Sequence, residues 1–539
     1  MNKKKSYFLG IDVGTGSARA GVFSVDGTLI GTHKCNITLY REEGNIVEQS
    51  SEDIWCAVVE AVRGAILKSE IEGKDILGIG FDATCSLVVL GDAGEPLPVG
   101  DPAFPNRNIM VWMDHRALEQ AERINKMGHR VLDYVGGRIS PEMETPKLLW
   151  LKENRPEVFD KAWQFMDLTD FLTWRATNDL SRSVCTVTCK WTYMAQEKSW
   201  DKSYFEVIGL KQLVDENFTR IGTNIVSAGV ALGSGLTETV AQELGLCAGT
   251  PVAAGLIDAH AGGIGSVGAK SNGGVTANLA YVFGTSSCTM TSTHEPVFVP
   301  GVWGPYYSAM VPGLWLNEGG QSATGAAIDK LLEFHPYTSL AKYLAADDKK
   351  LIPDWILQQA ERLLANDSNI AKLAKGQHVV PEFLGNRAPH ADPHTRAVIT
   401  GLGMQNDLES LVSLYIAGLC GIGYGLRQII EAQENAGVTI NRIVISGGAG
   451  KHMLVRQLLA DATGVEITAS RTEEPVLLGS AILASVAAGA YENIHVAMQA
   501  MSSFSSTFYP QVGAVQLLHQ ERFVIFEELQ SIARKSIKC

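Results

Sequence analysis

The chain has 539 residues, 46% of them hydrophobic, and a formal charge of −13 with a pI near 5.5. That length predicts two to four domains with sizeable cores. The acidic balance excludes a general nucleic-acid or anionic-membrane binder, while leaving room for phosphate held by backbone amides.

Residues 7–12 read as a buried strand, "SARAGVFS" as a second and "DGTLIGTHK" as a third, the last entered through an Asp26-Gly27 turn. This is an antiparallel meander. Asp12 and the glycines cut the first apolar run far short of a signal-peptide core. No run reaches the ~18 apolar residues of a membrane helix, so no membrane partner is expected. "SSEDIWCAVVEAVRGAILKS" has helical periodicity, with Ser50 or Ser51 as its cap. "ILGIGFDAT" is another buried strand, and "PKLLWLKENRPEVF" a helix that ends before Pro156. "SVCTVTCKWTYM" alternates like a strand, with Cys185, Val187, Cys189 and Trp191 on one face and Thr186, Thr188 and Lys190 on the other. "TPVAAGLIDAHAGGIGSVGA" reads as a strand, a turn and a small-residue helix. "GAKSNGG" follows as a linker, which puts a domain boundary between residues 264 and 265.

"TANLAYVFGTSSCTMTST" then echoes the start of the chain. Gly284-Thr285-Ser286-Ser287 matches Gly14-Thr15-Gly16-Ser17, and each lies between two strand-like segments. In this register Asp12 corresponds to Val282, so the acid belongs to the first copy alone. A long helix over residues 410–437, the strand "RIVISGG", the loop "GGAGKHM", the helix "LVRQLLADATG" and a closing helix from residue 474 complete an α/β pattern with two large lobes.

Nine cysteines, at positions 35, 56, 85, 185, 189, 247, 288, 420 and 539, contain no C-x-x-C pair. They read as reduced thiols in a cytoplasmic protein. Cys185 and Cys189 lack a matching second pair, and His115 and His260 lack metal-ligand companions at usable spacing, so neither a zinc site nor histidine ligation is expected.

Gly14-Thr15-Gly16 invites a dinucleotide reading. Ser17, Ala18 and Arg19 follow instead of a third glycine, and the next element is a strand rather than a helix. No Gly-Lys-Ser/Thr closes the loop either. A hairpin carrying hydroxyls can still clasp phosphate, and the plainer alternative is an ordinary turn with a salt-bridged Asp12.

The segments "GIDVGTGSARAGVFSVDG", "PKLLWLKENRPE", "GLIDAHAGGIG", "FGTSS", "GGQSATG", "PEFLGNRAPHADPHTRAVITGL" and "ISGGAGKHMLVRQLLAD" occur in that order over roughly residues 7–490. Together they resemble the FGGY carbohydrate kinases of the actin, Hsp70 and hexokinase superfamily. Glu142 and Glu144 stand where that family usually has small or hydroxyl residues, and "GNR" at 385–387 replaces Gly-Glu-Arg.

The resemblance implies duplicated, two-lobed ribonuclease H-like α/β domains with a cleft between them. An N-terminal lobe, 1–264, would hold the sugar site, the first phosphate loop and the catalytic base. A C-terminal lobe, 265–539, would hold the second phosphate loop and the adenosine site. ATP and Mg²⁺ are the implied cofactors: Gly14 and Thr15 on the first loop, Gly284 and Thr285 on the second, Gly447, Gly448 and Gly450 beside the adenosine, and Asp12 at the metal. Asp258 is the implied general base, because phosphoryl transfer needs an acceptor for the hydroxyl proton. Its plainer role is to cap the helix that follows.

For the sugar, Lys190 and Glu318 match contacts made in ribulokinases, against a solvated lysine and a loop glutamate as plainer readings. Thr84 and Cys85 lie in "DATCSLVVL", a small-residue wall resembling that of D-ribulokinases; strand packing explains Cys85 equally well. Asp114 and Arg116 read as a structural pair. The expected reaction is phosphorylation of D-ribulose to D-ribulose 5-phosphate. L-ribulokinase, xylulokinase or sugar-alcohol kinase activity, and a non-catalytic sugar or nucleotide sensor on the same fold, are the alternatives. The oligomeric state is left open, a homodimer being one candidate.

Overall fold

In the computed structural model, residues 6–536 are described, apart from 272 and 366. The predicted meander is present: β1 (Tyr7–Val13), β2 (Ser17–Ser24) and β3 (Leu29–Asn36) pair antiparallel. β4 (Ile76–Ala83) joins β1 in parallel, and β5 (Leu256–Ile257) joins β4 in parallel. The sheet order is therefore β5-β4-β1-β2-β3. β1 and β4 are covered on both faces, which is why they read as unbroken apolar runs rather than alternating ones.

The second lobe repeats this plan. β6 (Asn278–Phe283) and β7 (Ser287–Thr293) form a hairpin, and β8 (Trp315–Gln321) pairs antiparallel with β7. β9 (Arg442–Ser446) runs parallel to β6, and β10 (Glu466–Ser470) parallel to β9. The order β8-β7-β6-β9-β10 has the same strand directions as the first sheet, with Trp303–Tyr307 and Phe504–Phe508 added at its two edges. The echo of four residues marks a duplicated architecture.

Seven helices matter for the site: α1 (Ser51–Lys68), α2 (Glu144–Asn154), α3 (Val184–Trp191), α4 (Asp258–Val267), α5 (Leu408–Asn435), α6 (Met453–Thr463) and α7 (Pro475–Ala487). Ser50 caps α1 through Asp53 N–H, deciding between the two candidates. α4 follows β5 as α7 follows β10, so the two helices are equivalent members of the duplicated plan. They cross at very short range because both are lined with small residues. A Cβ at Gly479 would stand 1.9 Å from the Ala261 carbonyl oxygen, and one at Gly80 1.9 Å from that of Ser480. The small-residue helices are thus the packing surface of α4, α7 and the first sheet. Gly479→Ala should destabilise the fold by about 1–3 kcal/mol through overpacking; thermal unfolding reads this as a lowered Tm.

Two expectations are corrected. Residues 184–191 form helix α3, not a strand. Ser183 caps it by accepting from Cys185 N–H at 3.3 Å, and Thr192 ends it in a left-handed conformation, φ +64°. All eight residues are buried, so the alternation of residue types does not describe an exposed and a covered face. Lys190 accordingly does not sit on a polar strand face. α5 is long and apolar enough to cross a membrane by length and composition, contrary to the sequence reading, but most of it is buried in the second lobe's core. α4 itself spans the position of the expected lobe boundary, 264/265. Residue 272 of the proposed linker lies outside the described residues.

Candidate active site

Three parallel strands bring three carboxylates to their C-terminal ends. Asp12 on β1 is in register with Asp82 on β4, Leu256 of β5 is in register with Asp82, and Asp258 follows β5 directly. The carboxyl edge of a parallel sheet is where α/β folds place ligands. Asp12 is paired with Arg19 across the β1–β2 hairpin, and Arg19 also reaches Glu474 at 2.8 Å, just ahead of α7. Asp82 is fully buried. Burial first, then the negative charge of Asp12, pushes its carboxyl well above the usual range, against a 2.6 Å bond from Ser480 Oγ. Its Oδ1 has no hydrogen-bond partner among the described residues.

Asp258 is the first residue of α4 rather than its cap; Ile257 holds the cap position. Its Oδ1 accepts from Ala259 N–H at 2.7 Å. Burial, followed by the charge of Asp12, raises its pKa to about 6, against that bond and the charges of His260 and Lys190. A carboxylate poised near neutrality is suited to accepting a proton.

The two hairpin loops are alike. Gly14 N–H bonds to Ser17 O and Gly284 N–H to Ser286 O. A Cβ at Gly14 or Gly284 would meet only a carbonyl oxygen of its own loop, at 3.8 and 3.5 Å. Their supports differ. Thr15 is held by Trp112 Nε1 at 3.0 Å and Gln49 Nε2 at 2.8 Å, whereas Gly284 O receives Thr324 Oγ1 at 2.9 Å and Gly325 N–H at 3.0 Å. After β9, Gly447 has φ +92°, and a Cβ there would come within 2.4 Å of the Phe283 carbonyl oxygen. Gly448 borders open space and Gly450 faces Ile445.

A cluster of buried charged side chains from both lobes meets where the lobes touch. Glu318, on β8, binds His260 Nε2 at 3.2 Å and Arg387 Nη2 at 2.9 Å. Burial would raise its pKa; Lys190, His260 and Arg387 together hold it well below the ordinary carboxylate range. Lys190 is 4% exposed, and its Nζ stands 4.6 Å from the Trp303 ring centroid. Arg387 stacks on the same ring at 4.4 Å. The Lys190 ammonium has no hydrogen-bond acceptor among the described residues, yet its pKa is raised. Burial opposes its charge, while Cys85 and Glu318 favour it. Burial pushes the Cys85 thiol up, so Glu318 supplies that negative charge.

The N- and C-terminal domain patterns of the FGGY family of carbohydrate kinases match residues 7–265 and 279–488. The chain belongs to the FGGY family of carbohydrate kinases. It is an ATP-dependent sugar kinase. An "FGGY carbohydrate kinase domain-containing protein" of Homo sapiens is 44% identical over 522 residues, covering 95% of this chain and 94% of the relative. A D-ribulokinase of Saccharomyces cerevisiae is 37% identical, covering 90% of this chain and 72% of the relative. The fold matches that of a ligand-bound xylulose kinase from Lactobacillus acidophilus, with a TM-score of 0.81 at 20% identity over 99% of both chains.

Within this FGGY kinase, Asp258 feels the charges of both Asp12 and Lys190, and Lys190 that of Glu318, while Gly14, Thr15, Gly284, Thr285, Gly447, Gly448 and Gly450 fall on loops at strand ends. Thr84 continues β4, its N–H bonded to Val13 O and its hydroxyl near Ser86 at 3.4 Å. Cys85 packs in the core of the first lobe. Arg116 binds both oxygens of Asp114 through Nε, at 2.9 and 3.0 Å, and Nη2 reaches Glu48, the structural pairing the sequence suggested.

Asp82, Arg19, Trp303 and Arg387 were unassigned by sequence reasoning. Asp82 carried a usable signal: an acid ending "ILGIGFDA" as Asp12 interrupts "FLGIDV". Glu142 lies within reach of this cluster, with His115 Nε2 at 3.4 Å and the charges of Arg387 and Lys190 favouring its ionised form against burial. His260, read as lacking companions, stands beside Cys185 and Cys189.

Proposed function

We propose that the chain transfers the γ-phosphoryl group of ATP to a hydroxyl of a pentulose, with D-ribulose as the first candidate and D-ribulose 5-phosphate as product. The observation carrying this reading is the position of Asp258. It lies beside the Asp12 end of the first hairpin and begins the helix that also carries His260, which binds Glu318 in the buried charged cluster. The sugar hydroxyl gives its proton to an Asp258 oxygen as its own oxygen bonds to the γ-phosphorus, and the bond to the β–γ bridging oxygen breaks to leave ADP. Lys190, Glu318 and Arg387 would orient the sugar, and the two Gly-Thr loops would hold the phosphates.

The choice of D-ribulose rests on likeness to the yeast D-ribulokinase. Asp12 would hold Mg²⁺. Asp82 Oδ1, adjacent in register and without a partner among the described residues, makes an oxygen donor set that suits this hard cation. The bound cation would neutralise charge on the transferring phosphoryl group. A lobe division near residue 265 and a cytoplasmic location belong to the same proposal. All eight described cysteines are free thiols, the form a reducing compartment maintains.

A coupled ADP-release screen over pentuloses and pentitols tests the reading. The expected result is the highest kcat/KM with D-ribulose. A clear preference for L-ribulose or xylulose would overturn the choice of sugar, and no turnover with any sugar would point to a sensor.

A further inference from the structure

We propose that Cys185, Cys189 and His260 form a buried zinc-binding site within the first lobe. Cys185 and Cys189 are four residues apart on α3, so their side chains share one helix face. His260, near the start of α4, brings Nδ1 to 3.1 Å from Cys185 Sγ. The three ligand atoms lie within 4.8 Å of one another, and all three residues are buried. Zn–S bonds of about 2.3 Å and Zn–N bonds of about 2.0 Å place tetrahedral ligands roughly 3.5–3.8 Å apart. Small side-chain rotations therefore suffice.

The surroundings fit the same assignment. Glu318 Oε2 is 3.2 Å from His260 Nε2. A neutral ring donating Nε2–H to that carboxylate presents Nδ1 as the metal ligand, the usual carboxylate–histidine–zinc relation. Ile257 N–H donates to Cys185 Sγ at 3.5 Å, supporting a thiolate there. The donors are two sulfurs and one imidazole nitrogen, which select zinc over Mg²⁺. Two thiolates and a dication sum to zero charge, which lowers the cost of burying the cluster. Three protein ligands leave a fourth position for water.

The consequence is positional. Lys190 follows Cys189 on α3, and Asp258 precedes His260 by two residues on α4. Zinc would tie the helix carrying the Lys190 ammonium to the helix carrying the Asp258 carboxylate.

The test uses the full-length, fully reduced protein, stripped with chelator and titrated with Co²⁺. The expected result is one Co²⁺ per chain, with thiolate-to-cobalt charge-transfer absorption and the visible bands of tetrahedral cobalt, displaced stoichiometrically by Zn²⁺. Cys185→Ser and Cys189→Ser should each weaken binding by more than the ~10–100-fold that loss of an outer-shell partner costs. Ser at the exposed Cys56 and Cys247 should change nothing. X-ray absorption of the zinc-loaded wild type, which needs no variant to fold, should show two sulfur scatterers near ~2.3 Å. No stoichiometric uptake, a metal shell without sulfur, or uptake unaffected by both Ser variants would overturn the site. So would a Cys185–Cys189 disulfide in freshly isolated protein, which would mark a redox pair instead.

Discussion

Asp258→Asn should lower kcat by about 10²–10⁴-fold, the range contributed by a positioned general base. The substitution preserves shape. The Asn side-chain oxygen can still accept from Ala259 N–H, as Asp258 Oδ1 does at 2.7 Å, so the start of α4 is retained while proton acceptance is lost. The pH profile separates these roles. With a pKa raised to about 6 by burial and the charge of Asp12, the base is ionised above pH 6. The wild-type kcat/KM should therefore fall about tenfold per unit as pH drops below 6 and level off above it. The Asn variant should lose that limb.

The effect on stability has the opposite sense. The native carboxyl binds its proton more tightly than the unfolded one. That stabilisation is complete below the unfolded pKa and disappears as pH rises through 6. At pH 7.5 the neutral Asn variant should unfold at a temperature no lower than that of wild type. Near-wild-type turnover in a folded Asn variant would remove Asp258 from the chemistry.

The first hairpin and its echo were legible because they are local. A strand, a Gly-Thr turn and a second strand are written in consecutive residues, and only the backbone geometry of neighbours is needed to read them. The partners of Asp12 were harder to see for the opposite reason. Asp82 reaches it through a parallel pairing across 70 positions, which no local period reports.

Lys190 shows a second kind of failure. "SVCTVTCKW" has a strand's alternation, but α3 is enclosed on every side. There the Ser183 cap and tertiary burial decide the local conformation, and β-branched residues are tolerated in a helix. Trp303 and Arg387 belong to the other lobe, and their convergence on Glu318 and Lys190 is a property of how the lobes face each other. The same holds for His260, whose neighbours Cys185 and Cys189 lie 75 and 71 positions earlier in the chain.

Lys190→Met should raise KM for the sugar about 10–150-fold while leaving KM for ATP and kcat close to wild type. A buried ammonium without a hydrogen-bond acceptor is costly. Its interaction with the Trp303 face and the field of Glu318 offset that cost without supplying hydrogen bonds. A sugar hydroxyl or carbonyl oxygen reaching Nζ would supply one. Hydrogen bonds to charged groups are worth about 1.5–3 kcal/mol, and at 1.4 kcal/mol per tenfold this gives the stated range.

Methionine keeps the apolar stem and leaves no new buried charge behind. Glu318 retains His260 and Arg387 as partners, so the cluster keeps its opposite charges. An interaction formed equally in the ground and transition states changes KM alone, which is why kcat is the discriminating number. If Lys190 served only to hold the lobes together, Tm would fall and KM for both substrates would shift alike. An unchanged sugar KM in a stable variant would remove Lys190 from substrate binding and leave Arg387 as the cation facing the sugar.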